Sequence, residues 1–237
     1  MAESGALFPV VIYSHGSGGR PDFQQFLTVH LASHGFIVAA PPHPGNTNDD
    51  CFPCTTASIL PSARERPADV TFALDELIAM KGNAASDLGR IIDPERTAIV
   101  GHSFGGWTAL YVAADDRFDA AVAQAPGSPQ LLTQRAAGVE TPLMIIASEQ
   151  DEVVPIEQVY EYWSGLGAIE KLLVILPEGV HLNYVDRCFG CREGLPEERG
   201  HELIRRYTAA WLYVHVLADG RYAPYIEADP PDAILTP

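Results

Sequence analysis

A serine lies between closely spaced glycines in the run Gly101-His102-Ser103-Phe104-Gly105. The run follows a short apolar segment and precedes a helix-like one, which is the strand–turn–helix context that the G-x-S-x-G pattern requires. In such a turn the serine oxygen is exposed at the carboxyl edge of a parallel sheet, at the positive end of the next helix. The pattern predicts that Ser103 is a nucleophile; the alternative is a glycine-rich turn that happens to contain a serine.

A serine hydroxyl is a weak nucleophile, so it needs a base and an acid that orients the base. Asp151 follows the fifth apolar run of the chain and His181 follows the sixth. Both positions are expected at the sheet edge that presents Ser103, because the carboxyl ends of parallel strands share one edge. The spacing therefore predicts Asp151 as the acid and His181 as the base. The alternative acids are Glu149 and Glu152, and the alternative bases are His201 and His215.

Acyl transfer also needs backbone N–H groups that point at the developing negative oxygen. One expected donor is the N–H of Phe104, the residue after the nucleophile. The second is expected from the glycine-rich loop Ser14–Gly19, whose glycines allow the backbone to come close to a substrate. Within that loop we predict the N–H of Ser17; the alternative is a plain turn with no such role.

These residues must be positioned by the rest of a 237-residue chain, of which 47% is apolar. That length and composition fit one domain with a sizeable core. Six apolar runs are continuous and not alternating, which is typical of parallel strands buried on both faces. The runs are Pro9–Gly16, Gly35–Gly45, Thr97–Ser103, Asp119–Gly127, Thr141–Ser148 and Lys171–Gly179.

Helix-like segments separate most of these runs. They are Pro21–Gly35, Arg66–Met80 with Pro67 near its first turn, the segment directly after Ser103, and a closing helix over Glu197–Leu217. Strand–helix alternation predicts an α/β fold with a doubly wound, mostly parallel sheet of about six strands flanked by helices. We expect one domain over residues 1–237.

The net charge of −16 excludes some partners. A surface this acidic repels phosphate backbones, so nucleic acid is not an expected partner. No stretch approaches the run of about 20 apolar residues that spans a bilayer. The first residues, "MAESGALFPVV", lack the features of a signal peptide, so the protein stays where it is made or a signal has been removed.

All four cysteines lie in two Cys-x-x-Cys pairs, Cys51 with Cys54 and Cys188 with Cys191. Both pairs belong to loops expected at the carboxyl edge. Three interpretations remain open: disulfides with three possible pairings, one zinc site of four thiolates, or free thiols. We favour disulfides that brace the rim of the site, and no metal. Disulfides would favour a secreted or periplasmic location after removal of a signal, over a cytoplasmic one.

The combined motifs resemble those of the α/β-hydrolase superfamily, within it the dienelactone-hydrolase-like and platelet-activating-factor-acetylhydrolase-like serine esterases. The matching pieces are "PVVIYSHGSGG", "RPADVTFALDEL", "DPERTAIVGHSFGGWTAL", "SEQDEVVP" and "GVH", and the similarity extends from Phe8 to Leu217. The resemblance implies the chain order serine, acid, histidine, and a fold without the usual first two strands. It further implies ester hydrolysis through an acyl-enzyme, a small-molecule ester as partner, and no cofactor.

Two departures narrow the expected substrate. Dienelactone hydrolases use a cysteine nucleophile, whereas this chain has Ser103, so small to medium acyl esters are expected instead. The chain is also similar to the neighbouring bacterial cutinases and polyester hydrolases, which implies that Val153 lines the acyl side. Gly127 stands where those enzymes carry an aromatic residue, which favours a small-ester pocket. The alternatives are a cutinase-like polyester hydrolase and, in another class, a non-catalytic binding protein with this fold.

Overall fold

The computed structural model describes residues 6–83, 85–127, 136–168, 170–187, 194–227 and 233–236. The strands in these ranges are β1 (Phe8–Ser14), β2 (Ile37–Ala39), β3 (Ile92–His102), β4 (Ala120–Gln124), β5 (Leu143–Ser148), β6 (Lys171–Leu176) and β7 (Ile234–Thr236). The α-helices are α1 (Gln25–Ser33), α2 (Thr56–Ala79), α3 (Asp87–Ile91), α4 (Phe104–Val112), α5 (Ile156–Gly165), α6 (Glu197–His215) and α7 (Pro224–Glu227).

The seven described strands form one sheet in the order β2-β1-β3-β4-β5-β6-β7. Every neighbouring pair is parallel except the last, because β7 runs antiparallel to β6. The predicted α/β fold with a mostly parallel sheet is therefore confirmed, and each of the six predicted strands is present. The additional strand β7 is only three residues long, too short to produce a periodic pattern in the sequence.

The strands are apolar on both sides because helices cover both faces of the sheet. Along β1, Val10 and Ile12 belong to one buried cluster, whereas Val11 and Tyr13 belong to the other. The first cluster includes apolar side chains of α2, α4 and α5, and the second includes those of α1 and α6. This three-layer arrangement explains the continuous apolar runs, since successive residues of a strand point to opposite faces.

The two longest helices are α2 with 24 residues and α6 with 19. Helix α2 begins at Thr56, well before the predicted start at Arg66, so Pro67 lies inside it together with Pro61. The prediction was wrong because proline is commoner in a first turn, where its missing N–H has no intrahelical acceptor. No helix in the described part of the chain has both the length and the apolarity needed to cross a membrane.

Candidate active site

Ser103 lies in the tight turn between β3 and α4, and its backbone has a φ of 55°. Positive φ is costly for a residue with a side chain and persists only where the surroundings enforce it. Here the backbone of Ser103 is fixed by the neighbouring strand and its loop: its N–H donates to the carbonyl oxygen of Gln124 at 2.8 Å, and its own carbonyl accepts from the N–H of Gly127 at 3.1 Å.

The glycines around Ser103 are required by close backbone packing. A Cβ atom on Gly101 would overlap the carbonyl of Gly105, and a Cβ atom on Gly105 would overlap the carbonyl of Ser14. No larger residue fits either position unless the backbone moves. The G-x-S-x-G spacing therefore has a steric origin in this fold, as the sequence predicts.

A chain of two hydrogen bonds joins the predicted triad. The Oγ of Ser103 lies 3.0 Å from Nε2 of His181, and Nδ1 of the same ring lies 2.7 Å from Oδ2 of Asp151. Since a carboxylate only accepts, Nδ1 carries the proton and Nε2 of the neutral ring is left to accept from the serine hydroxyl. This geometry is that of a serine nucleophile with its general base.

Asp151 is held from both of its oxygens. Oδ1 accepts the backbone N–H groups of Val153 and Val154 at 2.8 and 2.7 Å, which leaves Oδ2 for His181. The side chain of Asp151 is 1% exposed and that of His181 is 11% exposed. The pair is therefore shielded from bulk water, and its orientation is set by the loop after β5.

The ring of His102 packs beside the triad, with centroids 4.8 Å from His181 and 5.3 Å from Tyr184. Burial, followed by the proximity of His181, lowers the pKa of His102 well below its ordinary value. His102 is thus a neutral neighbour that restricts the position of the His181 ring without adding charge to it.

The predicted oxyanion-hole loop lies directly beside Ser103. A Cβ atom on Gly16 would lie 3.3 Å from the Cβ of Ser103, so the backbone at Gly16 approaches the serine closely. The next residue, Ser17, is exposed, and its N–H has no hydrogen-bond acceptor among the described residues. Phe104 begins α4, where N–H groups lack intrahelical acceptors. Both predicted donors are therefore on segments adjacent to Ser103.

An open cavity of about 310 Å³ lies next to His181. His181, Val153 and Leu182 contribute to its lining, together with Gln150, Glu152, Val180 and Gly194. Val153 is 65% exposed, so its apolar side chain is available to a bound molecule. Val153, the predicted substrate-contacting residue, thus lines the same cavity as His181, the predicted base.

A family model described as PETase, PET hydrolase-like, matches residues 4–236, which is nearly the whole chain. The chain belongs to the PET hydrolase-like family. The resemblance to α/β-hydrolase serine esterases close to the cutinases is thereby confirmed.

Relatives of this PET hydrolase-like protein include a platelet-activating factor acetylhydrolase of Cavia porcellus, 25% identical over 267 aligned positions that cover 93% of this chain and 60% of that protein. Cutinase 2 of Thermobifida cellulosilytica is 26% identical over 230 positions, covering 96% of this chain and 76% of the cutinase. Cutinase cut1 of Thermobifida fusca is also 26% identical and is covered over 62% of its length. The chain therefore spans roughly three fifths to three quarters of these relatives.

The alternative acids and bases of this PET hydrolase-like chain lie elsewhere. Glu149 and Glu152 flank Asp151 but are exposed, and neither is bonded to the histidine. His201 stacks on Phe26 and bonds a backbone carbonyl, and His215 pairs with a glutamate. Among the described residues, Asp151 and His181 are the pair that reaches Ser103.

The cysteine prediction is confirmed for one pair, since a disulfide joins Cys51 to Cys54. Because these two cysteines are bonded to each other, the structure does not have either of the two pairings that would link them to the later pair. Cys188 and Cys191 lie outside the described residues. The disulfide packs against the oxyanion-hole loop, because a Cβ atom on Gly18 would lie 3.2 Å from Sγ of Cys54.

Sequence reasoning missed the polar residues behind the loop of this PET hydrolase-like site. Arg66, Asn46, His15 and His43 are buried there and bonded to one another or to the loop backbone. The available signals were a histidine before the glycines in "SHGSGG" and an arginine on a helix that packs beneath them. Neither signal indicates burial by itself.

Proposed function

We propose that this protein is a serine hydrolase that cleaves carboxylic esters through an acyl-enzyme. The observation that carries the proposal is the continuous hydrogen-bonded chain from Ser103 through His181 to Asp151, ending on a serine in a strained turn. Membership of the PET hydrolase-like family supports it, as do relatives named cutinase and platelet-activating factor acetylhydrolase, which are names of ester hydrolases.

In the first half of the proposed reaction, Oγ of Ser103 attacks the ester carbonyl carbon while its proton passes to Nε2 of His181. Asp151 keeps Nδ1 protonated and stabilises the imidazolium that forms. The N–H groups of Ser17 and Phe104 donate to the carbonyl oxygen as it becomes negative. The intermediate collapses, the bond to the alcohol oxygen breaks, and His181 returns the proton to that oxygen.

In the second half, a water molecule takes the place of the alcohol. His181 accepts a proton from the water, whose oxygen attacks the acyl carbon of the ester that Ser103 now carries. The second tetrahedral intermediate uses the same two N–H donors. Its collapse returns the proton to Oγ of Ser103 and releases the carboxylic acid, so the cycle is closed by the residues of this chain alone.

We further propose small to medium acyl esters as substrates, with Val153 on the acyl side. An exposed apolar side chain next to the base, at an open cavity of about 310 Å³, supports a short apolar acyl group. Gly127 supports the same choice, because even a Cβ atom there would overlap the side chain of Val154. A larger residue would need Val154 to move.

Polyester hydrolysis is the second candidate, favoured by the family match and by cutinases aligned over 96% of this chain. The same acyl-enzyme chemistry would apply, and the difference lies in how much of a polymer the rim can bind. Release of soluble acids from a polyester film, compared with turnover of a soluble ester, separates the two. We expect turnover of the soluble ester to dominate.

The test of the proposal combines turnover with covalent labelling. Wild type should hydrolyse p-nitrophenyl esters in an acyl chain-length series and should be labelled by a fluorophosphonate. Ser103→Ala should lose at least about 10⁴-fold in kcat and lose the label, while keeping its circular dichroism spectrum. A wild-type protein that neither turns over these esters nor takes the label would be a non-catalytic protein on a hydrolase fold.

A further inference from the structure

Arg66 is a buried cation in the interior of α2, and its side chain is 0% exposed. A buried charge is costly unless its donors are satisfied, and replacing it by apolar groups is often neutral or stabilising. All its hydrogen-bond acceptors among the described residues are uncharged. Nε donates to Oγ of Ser62 (3.1 Å), Nη1 to the carbonyl of His15 (2.6 Å) and Oγ of Ser14 (3.5 Å), and Nη2 to the carbonyl of Gly16 (3.2 Å) and Oδ1 of Asn46 (2.6 Å).

The carbonyl of Gly16 is the acceptor with the clearest functional consequence. It accepts from Nη2 of Arg66 at 3.2 Å, from Nδ1 of His15 at 2.8 Å and from the N–H of Gly19 at 3.1 Å. Because a peptide unit is planar and trans, its C=O and the following N–H point in opposite directions. Three donors on one side of the Gly16–Ser17 peptide therefore fix the direction of the Ser17 N–H on the other.

Asn46 holds the same loop at the two residues that follow Gly16. Its Oδ1 accepts from Arg66, its Nδ2 donates to Oγ of Ser17 at 3.2 Å, and its carbonyl accepts the N–H of Gly18 at 3.2 Å. Asn46 is completely buried. The loop is thus clamped between two buried side chains that are themselves bonded to each other.

Arg66 also touches the second proposed donor residue. Its guanidinium carbon lies 4.4 Å from the ring centroid of Phe104, within the range of a cation–π contact. One side chain therefore contacts both the loop that carries the Ser17 N–H and the residue that supplies the other N–H.

A serine–histidine–aspartate network, buried at Ser14 and His43 and partly exposed at Asp69, is bonded to the partners of Arg66. Oγ of Ser14 lies 2.8 Å from Nε2 of His43, whose Nδ1 lies 2.8 Å from Oδ2 of Asp69. The backbone N–H of His43 also donates to Nε2 of His15 at 3.3 Å. Ser14 and His43 are 0% exposed, so this network is a scaffold and not a second reaction centre.

We propose that Arg66 is a positioning residue of the oxyanion hole, which sets the direction of the Ser17 N–H through the Gly16 carbonyl. The inference rests on the proposed function, because it concerns the stabilisation of that reaction's transition state. Arg66 does not touch the substrate in this proposal. Its loss therefore weakens binding of the negative oxygen in the transition state and leaves binding of the neutral ester unchanged.

The test compares Arg66→Lys with the matched control Arg64→Lys, an exposed position on the same helix. Lysine keeps the charge but cannot reach the same acceptors in a fixed fork. We expect kcat of Arg66→Lys to fall about 10- to 100-fold, because a small misplacement of a hydrogen-bond donor lowers the rate by about that factor. KM should stay within about twofold of the wild-type value. The inhibition constant of an alkyl trifluoromethyl ketone, which forms an oxyanion on Ser103, should rise by the same factor as kcat/KM falls.

The corresponding unfluorinated ketone, which binds without adding to Ser103, should keep its inhibition constant in Arg66→Lys. If kcat and both inhibition constants match those of Arg64→Lys, or if both ketones weaken equally, the inference is wrong. Should Arg66→Lys fail to fold, the same comparison of kcat and the two ketone inhibition constants is made for Asn46→Ala. An inactive wild type would instead refute the proposed function. The failure of the proposed function is thereby distinguished from the failure of the inference about Arg66.

Discussion

Gly105 lies so close to Ser14 that a Cβ atom on it would overlap the Ser14 carbonyl. Gly105, in the first turn of α4, thus packs on Ser14, the last residue of β1. This contact joins the turn that carries Ser103 to the start of the predicted oxyanion-hole loop. The two segments that supply the proposed N–H donors are therefore held at a fixed separation by backbone contact.

Gly105→Ala should destabilise the protein by about 3 kcal/mol or more, because backbone atoms must move to admit the methyl group. The loss of kcat should exceed the loss of folded protein, since the move separates the two proposed donors. Urea unfolding and p-nitrophenyl ester turnover measure the two effects. Gly165→Ala is the matched control, because nothing lies within 4 Å of a Cβ atom there; equal behaviour of the two variants would contradict the steric argument.

Asp151→Asn should lower kcat by about 10⁴-fold while the fold is kept, because an amide can present its N–H₂ to the ring and favour the wrong tautomer of His181. Glu149→Gln tests a rival acid at a position that is exposed and does not line the cavity. It should remain within about twofold of wild type. Initial rates with a p-nitrophenyl ester decide between them: a large loss in Glu149→Gln with little loss in Asp151→Asn would reassign the acid.

Stability should decrease on acidification because of buried neutral histidines. Burial, together with the positive charge of Arg66, lowers the pKa of His15 to about 3 and that of His43 to about 2. In the unfolded chain an imidazole titrates near about 6.5. Below that pH the unfolded state binds more protons than the folded state, so the stability present above pH ~6.5 is lost as the pH falls toward the lowered values.

Each such histidine should contribute a slope of about 1.4 kcal/mol per pH unit between pH ~6 and ~4. Urea unfolding across this interval measures how the free energy of unfolding depends on pH in wild type and in His15→Asn. The slope of His15→Asn should be smaller than that of wild type by the contribution of one proton. An unchanged slope in His15→Asn would show that His15 is protonated in the folded protein.

The Cys51–Cys54 disulfide should stabilise the protein and its oxyanion-hole loop. A loop closed between residues three apart is worth about 2 kcal/mol in the chain-entropy model. In a Cys188→Ser/Cys191→Ser background, thiol titration under denaturing conditions should find no reactive thiol before reduction and two afterwards. Reduction should lower Tm and kcat. Two thiols before reduction would contradict the disulfide, and a chelator is expected to have no effect.

The sequence was sufficient to predict the turn at Ser103 and the strand ends, because both depend on short-range patterns. The glycines of the turn indicate Ser103 as a candidate, and the positions of Asp151 and His181 directly after apolar runs indicate these two residues. The parallel register then brings these residues together without further information, since the ends of parallel strands lie at one edge. The distances of 3.0 and 2.7 Å were not predictable from spacing alone.

What the sequence could not provide depends on long-range contacts. Arg66 is one charged residue among several on an amphipathic helix, and its burial follows from the loop that packs above it. Strand β7 was missed because it has only three residues, whereas helix α5 was missed although its ten residues are amphipathic. Helix α2 begins early because packing on β1 and α4 outweighs two interior prolines.

The three residues of the proposed triad follow strands that differ in how fully their neighbours in the sheet cover them. Ser103 follows β3, whose carboxyl-terminal half is flanked by β1 on one side and by β4 on the other, whereas His181 follows β6, whose outer neighbour β7 covers only Leu173 to Ile175. Fraying on warming begins at such outer strands, before the centre of a sheet opens. Heat should therefore inactivate the enzyme reversibly at temperatures where most of the protein still has its ordered core.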